Sequence, residues 1–445
     1  MKTSQGQYAK TMPMVNTGNF DQALLIIENS KDKFYKEKDK VLYYLDLGML
    51  YHWAGHYRKS NELLTMAENG IEELYTRSIS KALVSGVLND NALDYSGEDY
   101  ENIYLNIFKA LNYIALNENE DALVEIRRIQ IKLNLLEDKY KKITEEYNEN
   151  QENGVEIPYV ENRFYNDVLA HYLGVLLYRS EGLKDDARID LEKMSEAWET
   201  QSQIYNFKKP SFPAADTDKA VINIVSFNGL APVKLAQTIY AQTVQDMILL
   251  FVTGQDDNYL TDLIGFHVLP FPGIQPNIHF KIQFPKMKRR NSLVNKVVVI
   301  IDNEEKVTVP LVEKLDNIAE ETFRLKLPLI VGKTIIRAAM KNVSKEMGKQ
   351  AMQQSLSSQG TAGLIIGLFA GLLADAAVDA TENADLRISH FFPSEARLSE
   401  IPVEPGYHSI VVEYRNGDEV LKTVDLGEKE IYAGKLNLFE SFMLQ

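Results

Sequence analysis

The sequence predicts a multidomain protein in which an all-α solenoid of helical hairpins is followed by an α+β domain with an antiparallel β-sandwich. Up to residue 203, apolar residues recur with a helical period, and small and aromatic residues repeat at fixed offsets. From residue 219, apolar runs become short, rich in β-branched residues and separated by turn signals. Between these parts, Pro210 and Pro213 favour a linker over residues 204–218.

The strongest repeat signal comes from residues at the spacing of a tetratricopeptide repeat. They are Tyr44, Leu47, Gly48, Tyr51, Gly55, Tyr57, Ser60, Leu64 and Ala67. At this spacing Gly48 lies where two helices approach too closely for a side chain, and Ser60 is the small residue opposite it. Gly55 permits the turn between the helices, and Tyr57 fills the gap at the hairpin end. Residues 1–203 are therefore predicted to form a tetratricopeptide-like domain.

Three weaker copies accompany this repeat, one before it and two after it. Their matching residues are Gly18, Phe20, Ala23 and Ile27, then Ala110, Tyr113, Asn117, Ala122 and Ile126, then Gly174, Leu177, Ala187 and Leu191. Four hairpins reach the number that a stacked helical array needs to bury a continuous core.

The α+β domain is predicted to span residues 219–445. Its expected parts are strands over 219–311, helices over 315–380 and strands over 386–442. The helical part is expected to hold two helices, 315–327 and about 329–357. Asn416 and Gly417, between two runs of alternating polarity, favour a tight β-hairpin.

Composition excludes several classes of function. The formal net charge of −15 argues against a general nucleic-acid binder, because phosphate contacts need clustered Lys and Arg. The chain has no cysteine, which excludes disulfides, thiolate metal sites and cysteine nucleophiles. The first seven residues contain no apolar run, so no signal peptide is expected there. This composition fits a cytoplasmic and a periplasmic protein equally well.

No catalytic, cofactor-binding or metal-binding constellation is predicted. Residues 331–334, Val-Gly-Lys-Thr, match only the end of a phosphate-binding loop, because Leu327 stands where the earlier glycine is needed. Instead they favour a helix N-terminus. His52 and His56 have the spacing of a metal pair on a helix, but Gly55 places a turn between them. We therefore expect a protein that is not an enzyme.

Two segments are candidates for contact with other molecules. The first is a basic cluster formed by Lys286, Lys288, Arg289 and Arg290. It offers positive charge to an anionic lipid headgroup or an acidic partner, although such clusters are more often solvated loops. The second is an apolar run of 13 residues, 362–374, in which every fourth residue is a glycine, namely Gly363, Gly367 and Gly371.

Glycines at this spacing line one helix face and let another helix approach closely. A bilayer span needs about 20 apolar residues. The run therefore favours a buried or oligomer-interface helix, with peripheral membrane contact second and a membrane span third.

Seven short segments occur in a familiar order. They are 97–101 (GEDYE), 110–113 (ALNY), 122–128 (ALVEIRR), 228–234 (NGLAPVK), 316–322 (DNIAEET), 384–387 (ADLR) and 403–408 (VEPGYH). This order resembles an uncharacterised family of bacterial envelope lipoproteins with tetratricopeptide-like N-terminal halves and β-rich C-terminal domains. The resemblance covers roughly residues 90–415, and segment 228–234 is its most specific part.

The resemblance implies a periplasmic protein that a lipidated N-terminal cysteine anchors to the outer membrane. This chain departs from the family in having no cysteine. It also has Leu386, Arg387, Ile388 and Ser389 where the family carries a Thr-Arg-Ser-Trp-like run.

Together these observations predict a non-catalytic scaffold of the bacterial cell envelope that binds partner proteins in a concave groove of its helical repeats. Large envelope assemblies such as the flagellar motor are candidates by analogy only. Two alternatives stay open. One is a membrane-interacting or homo-oligomerising module acting through residues 360–380, and the other is an unrecognised cell-wall enzyme. A cytoplasmic location is the alternative to the periplasm.

Overall fold

The computed structural model describes residues 6–85, 91, 93–149, 157–211, 220–252, 268–271, 274–355 and 383–445. Helices fill the N-terminal half, and antiparallel sheets dominate the C-terminal part. The predicted order, a helical half followed by an α+β half, is therefore confirmed.

Most of the described residues of the helical half form α-helices. They are α1 (Tyr8–Asn16), α2 (Phe20–Asn29), α3 (Lys31–Phe34), α4 (Lys40–Trp53), α5 (Tyr57–Ser85), α6 (Asp99–Ala115), α7 (Asn119–Glu149), α8 (Val168–Ser180) and α9 (Lys184–Thr200). Helices α4 and α5, α6 and α7, and α8 and α9 pack together as hairpins.

The hairpin turns share one backbone feature. Gly18, Gly55, Asn117 and Gly182, which follow α1, α4, α6 and α8, all have a positive φ between 61° and 77°. A left-handed residue ends a helix by turning the chain while its last carbonyl groups still find donors. Glycine, and less often asparagine, adopts this conformation at low cost.

The described residues of the C-terminal part form twelve strands and one long helix. They are β1 (Ala220–Asn228), β2 (Val233–Val244), β3 (Met247–Val252), β4 (Val268–Pro270), β5 (His279–Lys288), β6 (Lys296–Ile301), β7 (Glu304–Thr308), β8 (Leu311–Lys314), α10 (Leu315–Ser355), β9 (Glu395–Val403), β10 (Gly406–Asn416), β11 (Glu419–Ile431) and β12 (Leu438–Met443). As predicted, Asn416 and Gly417 turn the chain between β10 and β11, and Asn416 pairs with Glu419.

The strands form three four-stranded sheets, in the orders β12-β1-β9-β8, β11-β10-β6-β7 and β4-β3-β2-β5. Adjacent strands pair antiparallel, except for β1 and β12, which are parallel.

Strand β1 is buried on both faces. Ile222 and Ile224 join a hydrophobic cluster with residues of β6 and β10 from the second sheet. Val225 and Phe227 join the larger cluster that contains the core of the helical half. Successive side chains of a strand point to opposite faces, so β1 links the two clusters.

The prediction of two helices between residues 315 and 357 was wrong, because α10 continues through Pro328. A proline inside a helix removes one backbone hydrogen bond and costs about 3 kcal/mol. Leu327, Leu329 and Val331 are buried on either side of it, and this packing offsets the cost. Residues 331–334 therefore lie inside a helix rather than at its N-terminus.

The start of the predicted linker is packed against the protein. Ile204 and Tyr205 are buried, and Asn317 Nδ2 donates a hydrogen bond to the Ile204 carbonyl at 2.5 Å. Residues 212–218 of that prediction lie outside the described residues.

Candidate functional site

Residues 383–392, here named the strap, cross the helical half without forming a helix or a strand. They touch the side of α4 and α6 that bears Asp46, Trp53, Glu101 and Phe108, here named the inner face. Ile388, Ser389, Phe391 and Phe392 in the strap are fully buried. A segment of the chain itself thus covers the inner face.

Side chains from outside the strap hold its backbone. Six of its carbonyl groups accept hydrogen bonds from side chains that come from different parts of the fold. The pairs are Asn91 Nδ2 to Asn383 O at 3.0 Å and to Ala384 O at 2.8 Å, Lys234 Nζ to Arg387 O at 3.1 Å, Tyr8 OH to Ile388 O at 3.1 Å, Arg290 Nη2 to His390 O at 2.8 Å and Trp53 Nε1 to Phe391 O at 2.9 Å. The single Tyr8 proton is shared between Ile388 O and the closer Asp46 Oδ2. Contacts to carbonyl groups fix the path of the strap without depending on its side chains.

Ser389 is the first of two side-chain anchors. Its hydroxyl donates to Asp46 Oδ1 at 2.7 Å, and its backbone N–H donates to Glu101 Oε1 at 2.6 Å. One strap residue therefore bridges carboxylates from α4 and α6. Hydrogen bonds to charged acceptors are about twice as strong as those between neutral groups.

The Asp46 carboxylate is held from its other side by two tyrosines. Tyr8 OH and Tyr35 OH each donate to Asp46 Oδ2 at 2.7 Å. Burial raises the pKa of the Asp46 carboxyl to about 7, although the three donated hydrogen bonds act to lower it. Desolvation therefore outweighs hydrogen bonding at this carboxyl.

Glu101 is arranged in the same way. Its Oε2 atom accepts hydrogen bonds from Tyr95 OH at 2.6 Å and from the Glu98 backbone N–H at 2.7 Å. Burial, followed by the nearby charge of Glu98, raises the pKa of the Glu101 carboxyl to about 7.

Arg387 is the second anchor. Its Nη1 atom donates to Asp39 Oδ1 at 3.0 Å and to the Leu93 carbonyl at 3.0 Å, and its guanidinium lies over the Tyr95 ring. Within the strap, Asp385 accepts from Arg387 Nε at 2.9 Å. The guanidinium thus has acceptors at Nε, Nη1 and Nη2, which the single ammonium group of lysine would not match.

Aromatic rings fill the rest of the contact. The His390 ring stacks on the Tyr8 ring with centroids 3.6 Å apart, and burial followed by the Arg290 charge holds the pKa of His390 well below its usual 6.5. The Phe392 ring meets the edges of Tyr100 and Phe108. His390 is therefore neutral at pH 7 and packs as an aromatic side chain.

The inner face has a sequence signal that the repeat analysis missed. Asp46 and Trp53 on α4 are seven residues apart, and so are Glu101 and Phe108 on α6. Seven residues make about two helical turns, which places both side chains of each pair on one face. An acidic residue followed seven positions later by a large aromatic residue, in corresponding helices, is the pattern that marks this site.

The predicted repeat residues lie between α4 and α5. A Cβ atom on Gly48 would be 2.6 Å from Leu64 Cδ2, and Ser60 Oγ donates to the Gly48 carbonyl at 2.8 Å. Tyr51 OH donates to Glu28 at 2.6 Å. Tyr44, Leu47, Tyr57 and Ala67 are buried or half-buried, and Gly55 at the turn is exposed. Gly48, Ser60 and Leu64 thus hold α4 against α5, and Tyr51 ties α4 to α2.

The basic cluster is divided between internal contacts and solvent. Arg289 pairs with Glu320, and Arg290 donates to the carbonyl groups of Ala231 and His390. Lys288 is exposed, and Lys286 is half-buried. Arg290 is therefore part of the strap site. Gly363, Gly367 and Gly371, the other predicted contact segment, lie outside the described residues.

The two histidines with metal-like spacing point to different partners. His52 Nδ1 lies 2.7 Å from Asn112 Oδ1, and its Nε2 lies 2.8 Å from Glu440 Oε1. His56 Nε2 lies 3.4 Å from Asp21. Within the part of the chain that the structure describes, no group of three or more His, Asp or Glu residues is placed to hold a metal ion.

Helix α8 continues the covered surface beyond the strap. Tyr172 OH donates to Asn223 of β1, and Arg179 pairs with Glu400 of β9 at 3.0 Å. A cavity of about 220 Å³ adjoins Tyr172 and Glu400, and Glu400 is the one carboxylate among its lining residues. Among the described residues that line this cavity, no second carboxylate provides the pair that glycoside hydrolysis uses.

Comparisons with known proteins returned no match to any family model, any curated protein or any solved structure. Among the described helices, none combines the length and apolar character needed to cross a bilayer.

Proposed function

We propose that this protein is a non-catalytic scaffold of the bacterial cell envelope, whose helical half binds segments of partner proteins. The observation that carries this proposal is the way the inner face holds the strap, through its carbonyl groups and two side-chain anchors. Peptide-binding surfaces likewise combine hydrogen bonds to the main chain with pockets for particular side chains.

At the finer level of fold, we propose a tetratricopeptide-like solenoid followed by a β-sandwich. Three consecutive hairpins, each with a left-handed residue at its turn, and the close contact at Gly48 support the solenoid. The hydrophobic cluster that β1 shares with β6 and β10 supports two sheets packed face to face.

The proposed location is the periplasm, where the native protein is anchored to the outer membrane as a lipoprotein. Three of the segments that resemble the lipoprotein family meet at the strap, namely 97–101, 228–234 and 384–387. Glu98 pairs with Lys234, and Lys234 Nζ also donates to the Arg387 carbonyl at 3.1 Å. Detection of the native protein in the soluble cytoplasmic fraction, with none in the envelope fraction, would contradict this location.

Affinity capture tests the scaffold function. The full chain is immobilised and exposed to detergent-solubilised envelope proteins, and a carrier of similar net charge serves as the control column. We expect a discrete protein to be retained and to form a complex with the full chain when both are purified. Retention of nothing beyond the control column counts against the scaffold function, as does turnover of purified cell-wall material by the protein alone.

A further inference from the structure

We propose that the strap is an internal ligand, and that the same site binds a partner segment with arginine, serine two residues later, and then aromatic residues. This inference rests on the proposed scaffold function, because it names the chemistry of the partner and what the partner must displace. The occupant is thus a peptide segment that resembles residues 387–392 of this chain.

The site is built to receive a serine even before the strap is considered. One oxygen of each carboxylate is already held by the helical half, Asp46 Oδ2 by Tyr8 and Tyr35, and Glu101 Oε2 by Tyr95 and a backbone N–H. The other oxygen of each accepts from Ser389. Acceptors fixed in advance reduce the ordering cost of binding, which is the property of a receptor site.

The chemistry of the site exceeds what packing alone requires. If the strap only had to cover the core, an apolar segment on an apolar helix face would be enough. Burying carboxylates there adds a desolvation cost that packing does not require. Here Asp39, Asp46 and Glu101 all direct carboxylate oxygens at the strap. Two anchors spaced two residues apart therefore select the sequence of the bound segment, while the carbonyl contacts accept any backbone.

The way the strap is bound permits exchange. Residues 383–392 are not part of any strand pairing in the described sheets, and β9 begins only at Glu395. Release of the strap therefore leaves β9 paired with β1 and β8. Because the strap is tethered beside its site, it competes at a high effective concentration, and a partner peptide binds the intact protein weakly.

The decisive probe is a fluorescent peptide of residues 383–394, NADLRISHFFPS, added to the full chain. A variant with Arg387→Ala and Ser389→Ala weakens the internal strap and leaves every helical residue unchanged. We expect this variant to bind the peptide at least tenfold more tightly than the wild-type chain, measured by fluorescence anisotropy. A peptide with the same two alanines is the matched control and should bind at least tenfold more weakly.

Equal binding of the two peptides, or no binding by a folded variant, overturns the inference. Hydrogen exchange on the wild-type chain provides a second test that needs no variant. Amides of residues 384–392 should exchange through a local opening, before those of α4 and α6. If they exchange only with global unfolding, the strap is a fixed part of the core and the inference fails.

The two proposals fail separately. If an envelope partner is captured but the strap amides exchange only on global unfolding, the scaffold function is supported and the displacement of the strap by a partner is contradicted. If the strap-weakened variant binds the peptide but no envelope partner is captured, the proposed chemistry of the site is supported and the scaffold function is contradicted.

Discussion

At the scale of single residues, the least ordinary feature is the pair of buried carboxylates that meet at Ser389. Each accepts three hydrogen bonds, yet burial raises the pKa of both to about 7. The hydrogen bonds stabilise the ionised forms of Asp46 and Glu101, and desolvation destabilises them by more. Both groups therefore change protonation near neutral pH.

Asp46 should therefore make stability depend on pH. The folded protein binds the Asp46 proton more tightly than the unfolded chain, whose ordinary value is 3.8. Its contribution is fully present below that value and is lost as the pH rises through about 7. From about pH 4 to about pH 7.5, the free energy of unfolding should fall further for wild type than for Asp46→Asn. We expect the two decreases to differ by roughly 2–4 kcal/mol.

Urea unfolding at the two pH values measures this difference. Ser389→Ala is the matched control, because it loses a hydrogen bond to the same carboxyl but keeps the titrating group. Because the lost hydrogen bond acts to lower the pKa of Asp46, the stability of Ser389→Ala should depend on pH at least as steeply as that of wild type. Parallel curves for Asp46→Asn and wild type would exclude Asp46 as the source.

Gly48 leads to a second prediction at this scale. In an open helix, Gly→Ala stabilises by about 1 kcal/mol. Here the new Cβ would lie 2.6 Å from Leu64 Cδ2, so α4 and α5 must separate. We expect Gly48→Ala to lower the free energy of unfolding by roughly 1–2 kcal/mol.

The shift of the urea midpoint reports this loss. Glu62→Ala, at an exposed position of α5, is the control and should change stability by less than about 0.5 kcal/mol. A Gly48→Ala variant more stable than wild type would mean that the close approach of the two helices is absent.

Sequence reasoning located Gly48 and missed Asp46, and the reason is physical. Gly48 meets residues of the next helix, so its role appears in short-range spacing. Asp46 meets Ser389, 343 residues away along the chain. The sequence of one helix does not indicate which distant segment will cover an acidic residue on its face. Only the seven-residue spacing that α4 and α6 share indicates that Asp46 and Glu101 contact the same segment.

At the scale of elements, a buried ion cluster joins three helices. Lys109 of α6 contacts Glu68 of α5 at 2.7 Å and Glu125 of α7 at 3.0 Å. Burial acts to raise the pKa of Glu68, but the charges of Lys132 and Lys109 outweigh it and hold that pKa at about 2. The cluster therefore links the α4–α5 hairpin to the α6–α7 hairpin through buried ion pairs.

Removing the central cation should be severe. Lys109→Met leaves Glu68 and Glu125 buried with fewer positive partners, and we expect a loss of about 3 kcal/mol. Adding Glu125→Gln should recover part of this loss, since it removes one uncompensated charge. A double-mutant cycle by urea unfolding measures the coupling.

The exposed pair Lys59–Glu62 provides the contrast. Lys59→Met should cost no more than about 0.5 kcal/mol, because solvent-exposed ion pairs contribute little. Strictly additive effects of Lys109→Met and Glu125→Gln would argue that the two side chains do not interact.

The helix α10 illustrates why element boundaries were only partly predictable. Turn residues predicted the ends of α4, α6 and α8 well, because a left-handed backbone has few alternatives. In α10, Pro328 opposes a continuous helix locally, and burial of the flanking leucines against the rest of the fold decides the outcome. Local preference is visible in the sequence, whereas the tertiary packing that overrides it is not.

At the scale of the whole molecule, the two halves share a core. Trp53 of α4 contacts Phe227 of β1 and Phe442 of β12, and all three belong to one hydrophobic cluster or pack directly against it. The helical half was predicted as a separate unit, yet its inner face is completed by residues from the C-terminal end.

A fragment of residues 1–203 should therefore fold poorly alone. It would expose Trp53, Phe108 and Tyr172, which are buried in the full chain. We expect the fragment to keep helical circular dichroism, to bind a hydrophobic dye and to lose cooperative melting. A sharp thermal transition at the midpoint of the full chain would instead mean that the helical half is autonomous.

The strap also constrains how the molecule is made. The Tyr8 hydroxyl is hydrogen-bonded to the Ile388 carbonyl, 380 residues away along the chain. At ordinary rates of translation, the α4 and α6 helices emerge on the order of tens of seconds before the strap does. During that interval the indole of Trp53 and the ring of Phe108 face water. A holdase that shelters them on the ribosome should raise the yield of native protein, and circular permutation that brings residues 383–445 ahead of the helices should shorten the wait.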